Sequence, residues 1–248
     1  MKKVISTLLL TCVAAFVSPI RAADDPKAIV DKGIKALGGE EKLAKAKILF
    51  WKNKGKIFIQ GNPSEFSSEA TAEGLDRYRS KFEADFGGQK IEGIGILVGD
   101  KGWRTFPELT ELDAAALANE KRVAYLTILP MILVPLKGDA FKLEAAKEEQ
   151  VDGKPAVGVK VTCPDKKDFT LYFDKESGLP VKLVAKVISF MGEEVAQETT
   201  YGGYKDFDGI KKATKIEGKQ NGDKFIEAET TEFKVLDKVD PKTFAKPE

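Results

Sequence analysis

Few residues in this chain have the type and spacing to do chemistry. Its 39 acidic and 40 basic side chains come with no histidine at all. That absence removes the commonest general base, the usual partner of a serine nucleophile and the usual zinc ligand together. Carboxylate, lysine or thiol chemistry remains. Acidic pairs stand at Glu148-Glu149 and Glu193-Glu194. Neighbours on a strand point to opposite faces, so neither pair presents two carboxylates to one reacting group, and both read as solvated surface. Cys163 precedes Pro164 at a strand end, with nothing beside it to lower its pKa, and reads as an inert core thiol. Lys52-Lys54-Lys56, Lys166-Lys167 and Lys211-Lys212 read as solvated strand faces that protect sheet edges, with contact to anionic head groups as the lesser alternative.

Glycine gives no nucleotide signal either. Gly93-Ile94-Gly95 and Gly99-Asp100-Lys101-Gly102 lack the strand-to-helix setting of a phosphate loop, and neither a calcium loop nor a paired CxxC occurs. The expectation is a protein without catalytic residues, metal or cofactor.

The elements that would position a site are more legible. Met1 to Ala22 has the pattern of a signal peptide: Lys2 and Lys3, an apolar stretch from Val4 to Val17, and a small residue at Ala22. Thr11 before Cys12 makes a poor lipobox. Removal of this segment shifts the formal charge from +1 to about −2, which argues against a nucleic-acid partner. Cys163 is then the one remaining cysteine, so no intramolecular disulfide can form. No later segment reaches the ~18 uninterrupted apolar residues of a membrane span. The expected location is therefore exported, periplasmic or extracellular.

Asp25 and Pro26 open a short helix that Gly38-Gly39 ends, and Glu40 to Lys47 adds a further turn or two. From Ile48 the apolar period becomes two. Ile48 to Gln60 reads as a strand carrying Trp51, turned at Gly61-Asn62-Pro63. Arg77 to Phe86 sets Tyr78, Phe82 and Phe86 on one face against charged residues on the other. Ile91 to Val98 follows, with Gly93 and Gly95 where a bulge or a close backbone approach would relieve crowding. Thr110 is placed to cap a helix from about Glu111 to Leu129, which runs into the apolar, proline-bounded stretch Ile128 to Leu136. That stretch reads as a buried cover over the sheet or as a movable lid.

Beyond Phe141 the pattern is almost continuously β. The clearest piece is the hairpin from Asp168 to Ile188, where Phe169, Leu171 and Phe173 share one face, Val181, Leu183, Ala185 and Val187 share another, and Lys175 to Gly178 turn the chain. Further strands are expected at Phe141–Gln150, Ala156–Cys163, Val195–Tyr204, Thr214–Lys219 and Phe225–Val235. Their spacing suits a meandering antiparallel sheet.

The helix ending in Leu37-Gly38-Gly39, the run YFDKESGLPVKL, the segment YGGYKDFDGIKKATKI and the closing FKVLDKVDPKTFAKP together resemble the periplasmic outer-membrane lipoprotein carrier and sorting superfamily. The resemblance implies a mainly β chain with some α (α+β): an unclosed antiparallel β half-barrel with covering helices, formed by residues 23–248 as a single domain. It implies a lipid or lipid-modified protein as partner and no covalent chemistry. It also implies a buried arginine acting on the lid, a role that no motif assigns to Arg77, Arg79, Arg104 or Arg122. The candidate apolar groove comprises Tyr78, Phe82, Phe86, Phe169, Leu171, Phe173, Leu183 and Val187 on the sheet, with Leu126, Leu129, Ile132 and Leu133 on the cover. The alternatives are a non-catalytic structural or partner-binding module whose concave face is filled by its own helix, and, further off, a carboxylate enzyme. Nothing in the sequence sets the oligomeric state.

Overall fold

The computed structural model describes residues 25–189 and 192–247; the expected signal peptide lies outside them. Two helices come first, α1 (Pro26–Leu37) and α2 (Glu40–Lys45). Asp25 caps α1 by accepting the Lys27 amide through Oδ1 at 3.0 Å. Six strands follow: β1 (Ile48–Ile59), β2 (Asn62–Glu73), β3 (Arg77–Phe86), β4 (Gln89–Val98), β5 (Lys101–Arg104) and β6 (Thr110–Glu111). Next comes the long helix α3 (Ala114–Ile132), then a 3₁₀ turn at Val134–Lys137. The remaining strands are β7 (Lys142–Val151), β8 (Lys154–Thr162), β9 (Asp168–Asp174), β10 (Pro180–Ile188), β11 (Glu194–Gly202), β12 (Lys205–Phe207), β13 (Ile210–Lys212), β14 (Lys215–Gln220) and β15 (Asp223–Leu236).

Thirteen strands form one antiparallel sheet in the order β6-β5-β4-β3-β2-β1-β15-β14-β11-β10-β9-β8-β7. It consists of two meanders joined where β1 pairs with β15, and it does not close, since β6 and β7 are opposite edges. The expected open half-barrel is therefore present. The same order explains the cover. The chain leaves the sheet at β6 and re-enters at β7, so α3 must cross from one edge to the other.

Cross-strand register sorts the faces. Leu49, Trp51, Ala70, Ala72, Tyr78, Leu97, Leu171, Leu183, Val159 and Phe233 all fall on the concave side and are buried. Each large side chain taken from water contributes about 1.5–3 kcal/mol. The convex side carries cross-strand charges, including Lys52 with Glu69 and Glu232, Lys160 with Asp168, and Lys182 with Glu149 and Glu198. The C-terminal half of α3 is apolar around its circumference, as a helix enclosed by a curled sheet and α1 requires.

Several expectations shift. Asn62–Glu73 is a strand, and the turn before it falls at Gln60-Gly61, both with positive φ. Thr110 does not cap α3. It lies in β6, and Asp113 accepts the Ala116 amide at 2.8 Å instead. The helix then runs through Pro130 to Ile132 and stops at Leu133, which adopts left-handed φ. No register irregularity occurs in the β3–β4 pairing at Gly93 or Gly95. Gly93 is a close approach: a Cβ there would meet the Phe106 side chain at 2.9 Å.

Candidate functional site

Helix α3 divides the space over the concave face. Its face carrying Val123, Leu126, Thr127, Pro130 and Met131 looks onto a cavity of about 370 Å³. Its other side, at Ile128 and Ile132, borders a second, more open hollow of about 510 Å³ beside α2 and the β2–β3 turn. The first is the better enclosed of the two and presents more apolar surface. Its floor comes from the middle of the sheet, with Trp51 and Asn53 of β1, Leu183 and Val187 of β10, Gln197, Thr199 and Tyr201 of β11, and Ile216 and Ile226 of β14 and β15.

Side-chain size explains why space remains there. On β8, β9 and β10 the concave positions are Val159, Val161, Phe169, Leu171, Phe173 and Leu183, almost wholly buried. On β11, β14 and β15 the concave positions include Gln197, Thr199, Gly218 and Ala228, too small or too polar to fill the space between Tyr201, Ile216 and Ile226. The trough is thus solid over β8 and β9 and hollow towards the middle of the sheet.

The candidate groove residues separate accordingly. Leu126, Leu183 and Val187 line the first cavity, and Ile132 lines the second. Phe169, Leu171, Phe173, Leu129 and Leu133 are packed in the solid half, where Gly33 of α1 lies so close that a Cβ would sit 2.7 Å from the Phe173 ring and 2.8 Å from Leu133. Tyr78 is buried and stacks on Trp51 with centroids 6.1 Å apart. Phe82 is 37% exposed at the far end of β3, edge-on to Phe106, and Phe86 beyond it is half-buried.

The residues that could do chemistry are mostly held in pairs on the convex face. Glu148 meets Lys175 at 2.5 Å and Glu149 meets Lys182 at 3.0 Å, separated by a bulge in β7. Glu194 meets Lys186 at 2.9 Å. Among the described residues, no cluster of metal-ligating side chains occurs, and no helix is long and apolar enough to cross a membrane. Cys163 is buried, and burial pushes its thiol up to about 11 despite the opposing effect of Arg122.

Two basic residues depart from the surface pattern. Arg122 of α3 is 2% exposed and donates through Nη1 to the Lys167 carbonyl at 3.4 Å and through Nη2 to the Asp168 carbonyl. Its guanidinium ties the covering helix to the start of β9. Lys212, expected to be solvated with Lys211, is 6% exposed and lines the first cavity. The cause is the short ribbon β12–β13, pinned by its Asp208-Gly209 turn, in which Ile210 and Lys212 face inward and Lys211 faces out. A three-residue strand is too short for periodicity to disclose its faces.

No protein-family profile matches the chain, and no curated protein matches it by sequence. Solved structures do. A LolA superfamily protein from Nitrosomonas europaea is similar with a TM-score of 0.58 at 11% identity, over 89% of this chain and 97% of that one. A DUF1329 family protein from Desulfovibrio piger gives 0.54 at 12%, over 89% and 97%. A putative outer membrane lipoprotein-sorting protein domain from Vibrio parahaemolyticus gives 0.52 at 12%, over 88% and 97%. The likeness spans nearly the whole of each partner and establishes a shared fold, the one that the sequence resemblance implied.

Proposed function

We propose that this protein is an exported carrier that holds a lipid, an acyl chain or the acyl part of a lipid-modified protein between α3 and the concave sheet, without covalent chemistry. The observation that carries this reading is the partly enclosed, mainly apolar cavity over β1, β10, β11, β14 and β15. Its ~370 Å³ falls within the usual range of small-molecule sites, about 300–1,000 Å³. At the ~30 Å³ that a water occupies in the liquid, it has room for roughly a dozen non-hydrogen atoms, one medium-length chain. Burial of ten to twelve methylenes at about 0.8 kcal/mol each contributes about 8–10 kcal/mol before an association cost of about 4 kcal/mol or more. The balance corresponds to a dissociation constant in the tens of micromolar or weaker, suited to a carrier that must also release.

Similarity in fold to a lipoprotein-sorting domain supports the choice of an acyl ligand. The same likeness and the Met1–Ala22 pattern support a periplasmic location. The self-filled module is favoured by one observation, the solid packing of Phe169, Leu171 and Phe173, and that packing occupies the other half of the trough. Native mass spectrometry of the purified protein tests the reading: a co-purified lipid that organic extraction removes is expected. Protein that is consistently empty and takes up no fluorescent acyl probe would reject it.

A further inference from the structure

Lys212 has a setting that a structural role does not require. Its ammonium group has three donors, and among the described residues its one hydrogen-bond partner is the Ala213 carbonyl at 3.1 Å. No carboxylate lies within ion-pair distance of it among the described residues. Lys182, also largely covered, shows the contrasting case, because Glu149 at 3.0 Å and Glu198 at 2.8 Å surround it. A buried cation without a counter-charge is costly, whereas a methionine would fill the same volume without that cost. The charge at this position therefore calls for a partner that the described residues do not supply.

The cavity is where such a partner would sit. Lys212 shares its lining with Leu37, Trp51, Leu126, Met131, Leu183 and Ile226, so an anionic group at the ammonium would place an attached apolar chain among apolar side chains. Neighbouring polar groups do not compete for the charge: the Tyr204 hydroxyl donates to the Pro180 carbonyl at 2.6 Å, and Thr230 donates to Asn53 at 2.9 Å. Lys211 also borders the cavity but is exposed, so the buried charge of Lys212 matches a singly charged head, and the volume matches one chain.

We infer that Lys212 anchors the carboxylate of a single-chain fatty acid whose tail occupies the cavity between α3 and the sheet. The inference rests on the carrier reading and specifies its ligand. A carboxylate bound by a desolvated ammonium forms charge-assisted hydrogen bonds, stronger than any an alcohol could make there. No electron or bond transfer is involved.

Calorimetric titration of the delipidated protein with dodecanoate and with dodecan-1-ol separates head from tail. The wild type is expected to bind dodecanoate about tenfold or more tightly than the alcohol. Lys212→Met should bring the two ligands to within about threefold while leaving alcohol binding intact, which also shows that the variant is folded. Lys212→Gln, which keeps polarity and loses charge, should behave the same way. A variant that retains the preference for dodecanoate, or a wild type without one, overturns the anchor and leaves the carrier reading standing. A wild type that binds neither ligand overturns both.

Discussion

Arg122 on the covering helix α3 donates a hydrogen bond to the main-chain carbonyl of Asp168, the first residue of β9. The same guanidinium reaches the Lys167 carbonyl at 3.4 Å and Cys163 Sγ at 3.7 Å. The N-terminal half of the cover is thereby fastened to the sheet by a buried charge acting on backbone. Further along α3, attachment is by apolar packing alone, from Leu126 to Ile132.

Replacing this guanidinium should loosen the cover. Arg122→Met removes the guanidinium donors from the Lys167 and Asp168 carbonyls, at about 1.5–3 kcal/mol for hydrogen bonds to a charged group, while the Lys167 carbonyl keeps the Cys163 amide at 3.0 Å. For a chain of this size that corresponds to a fall in Tm of roughly 5–10 °C. Amide exchange in α3 should accelerate more than exchange in β1 or β15. Uniform acceleration across the sheet would show that Arg122 supports the whole fold rather than the cover.

Cys163 should be unreactive in the native state. A thiol pushed up to about 11 from an ordinary value of 9 carries about a hundredfold less thiolate at pH 8. In a C12S chain, modification by a chromogenic disulfide reagent should be about two orders of magnitude slower than for a free thiol, and rapid in denaturant. Fast native labelling would mean that the segment around Arg122 opens readily.

Gly33 should resist even a methyl group. An alanine there gains up to about 1 kcal/mol of helix propensity, but its Cβ would meet the Phe173 ring and Leu133 at distances that force the core apart, at about 1–3 kcal/mol. The clash should win, and the urea midpoint of Gly33→Ala should fall. A rise would indicate that α1 can shift away from the sheet at little cost.

Lys212 should give the unliganded protein an unusual alkaline stabilisation. Burial lowers this ammonium to about 8 from 10.5, so between those values the unfolded chain binds more protons than the folded one. Stability then rises with pH: the full penalty of about 3 kcal/mol is present below pH 8 and is relieved by about pH 10.5. Lys211, Tyr201 and Tyr204 are the other titratable groups lining the cavity, and burial pushes both tyrosines further up, so they remain neutral through this window. The Cys163 thiol acts with the opposite sign above about pH 9, which makes the difference between wild type and Lys212→Met the proper readout. That difference should shrink by about 1.4 kcal/mol per pH unit as pH rises past 8. A constant difference would show that Lys212 is solvated.

The half-barrel was legible wherever large apolar residues alternate over a full strand. Phe169 to Val187 is the best case: its faces are as expected except at Val181, where a bulge gives the buried place opposite Phe173 to Pro180. Asn62–Glu73 was not legible, because its concave positions are Phe66, Ser68, Ala70 and Ala72, with little apolar contrast to their neighbours. The hollow was hidden for the same reason. A cavity arises where the alternation carries Thr199, Gln197 and Gly218 in place of large residues, so the residues that line it attract least notice in a search for a greasy face. Arg122 and Lys212 depend on distant partners: one on carbonyls more than forty residues away, the other on a ribbon too short to show a period. Local spacing carries no information about either.

Filling the hollow with a protein side chain tests whether the middle of the trough accepts an acyl chain. Thr199 points from β11 into the cavity, so Thr199→Phe should occupy the chain's volume while leaving the solid half untouched. Titration of delipidated protein with a dansylated undecanoic acid should give saturable one-to-one binding to the wild type and at least about tenfold weaker binding to Thr199→Phe at unchanged Tm. Equal binding by the two proteins, or none by the wild type, would mean that no acyl chain occupies this cavity.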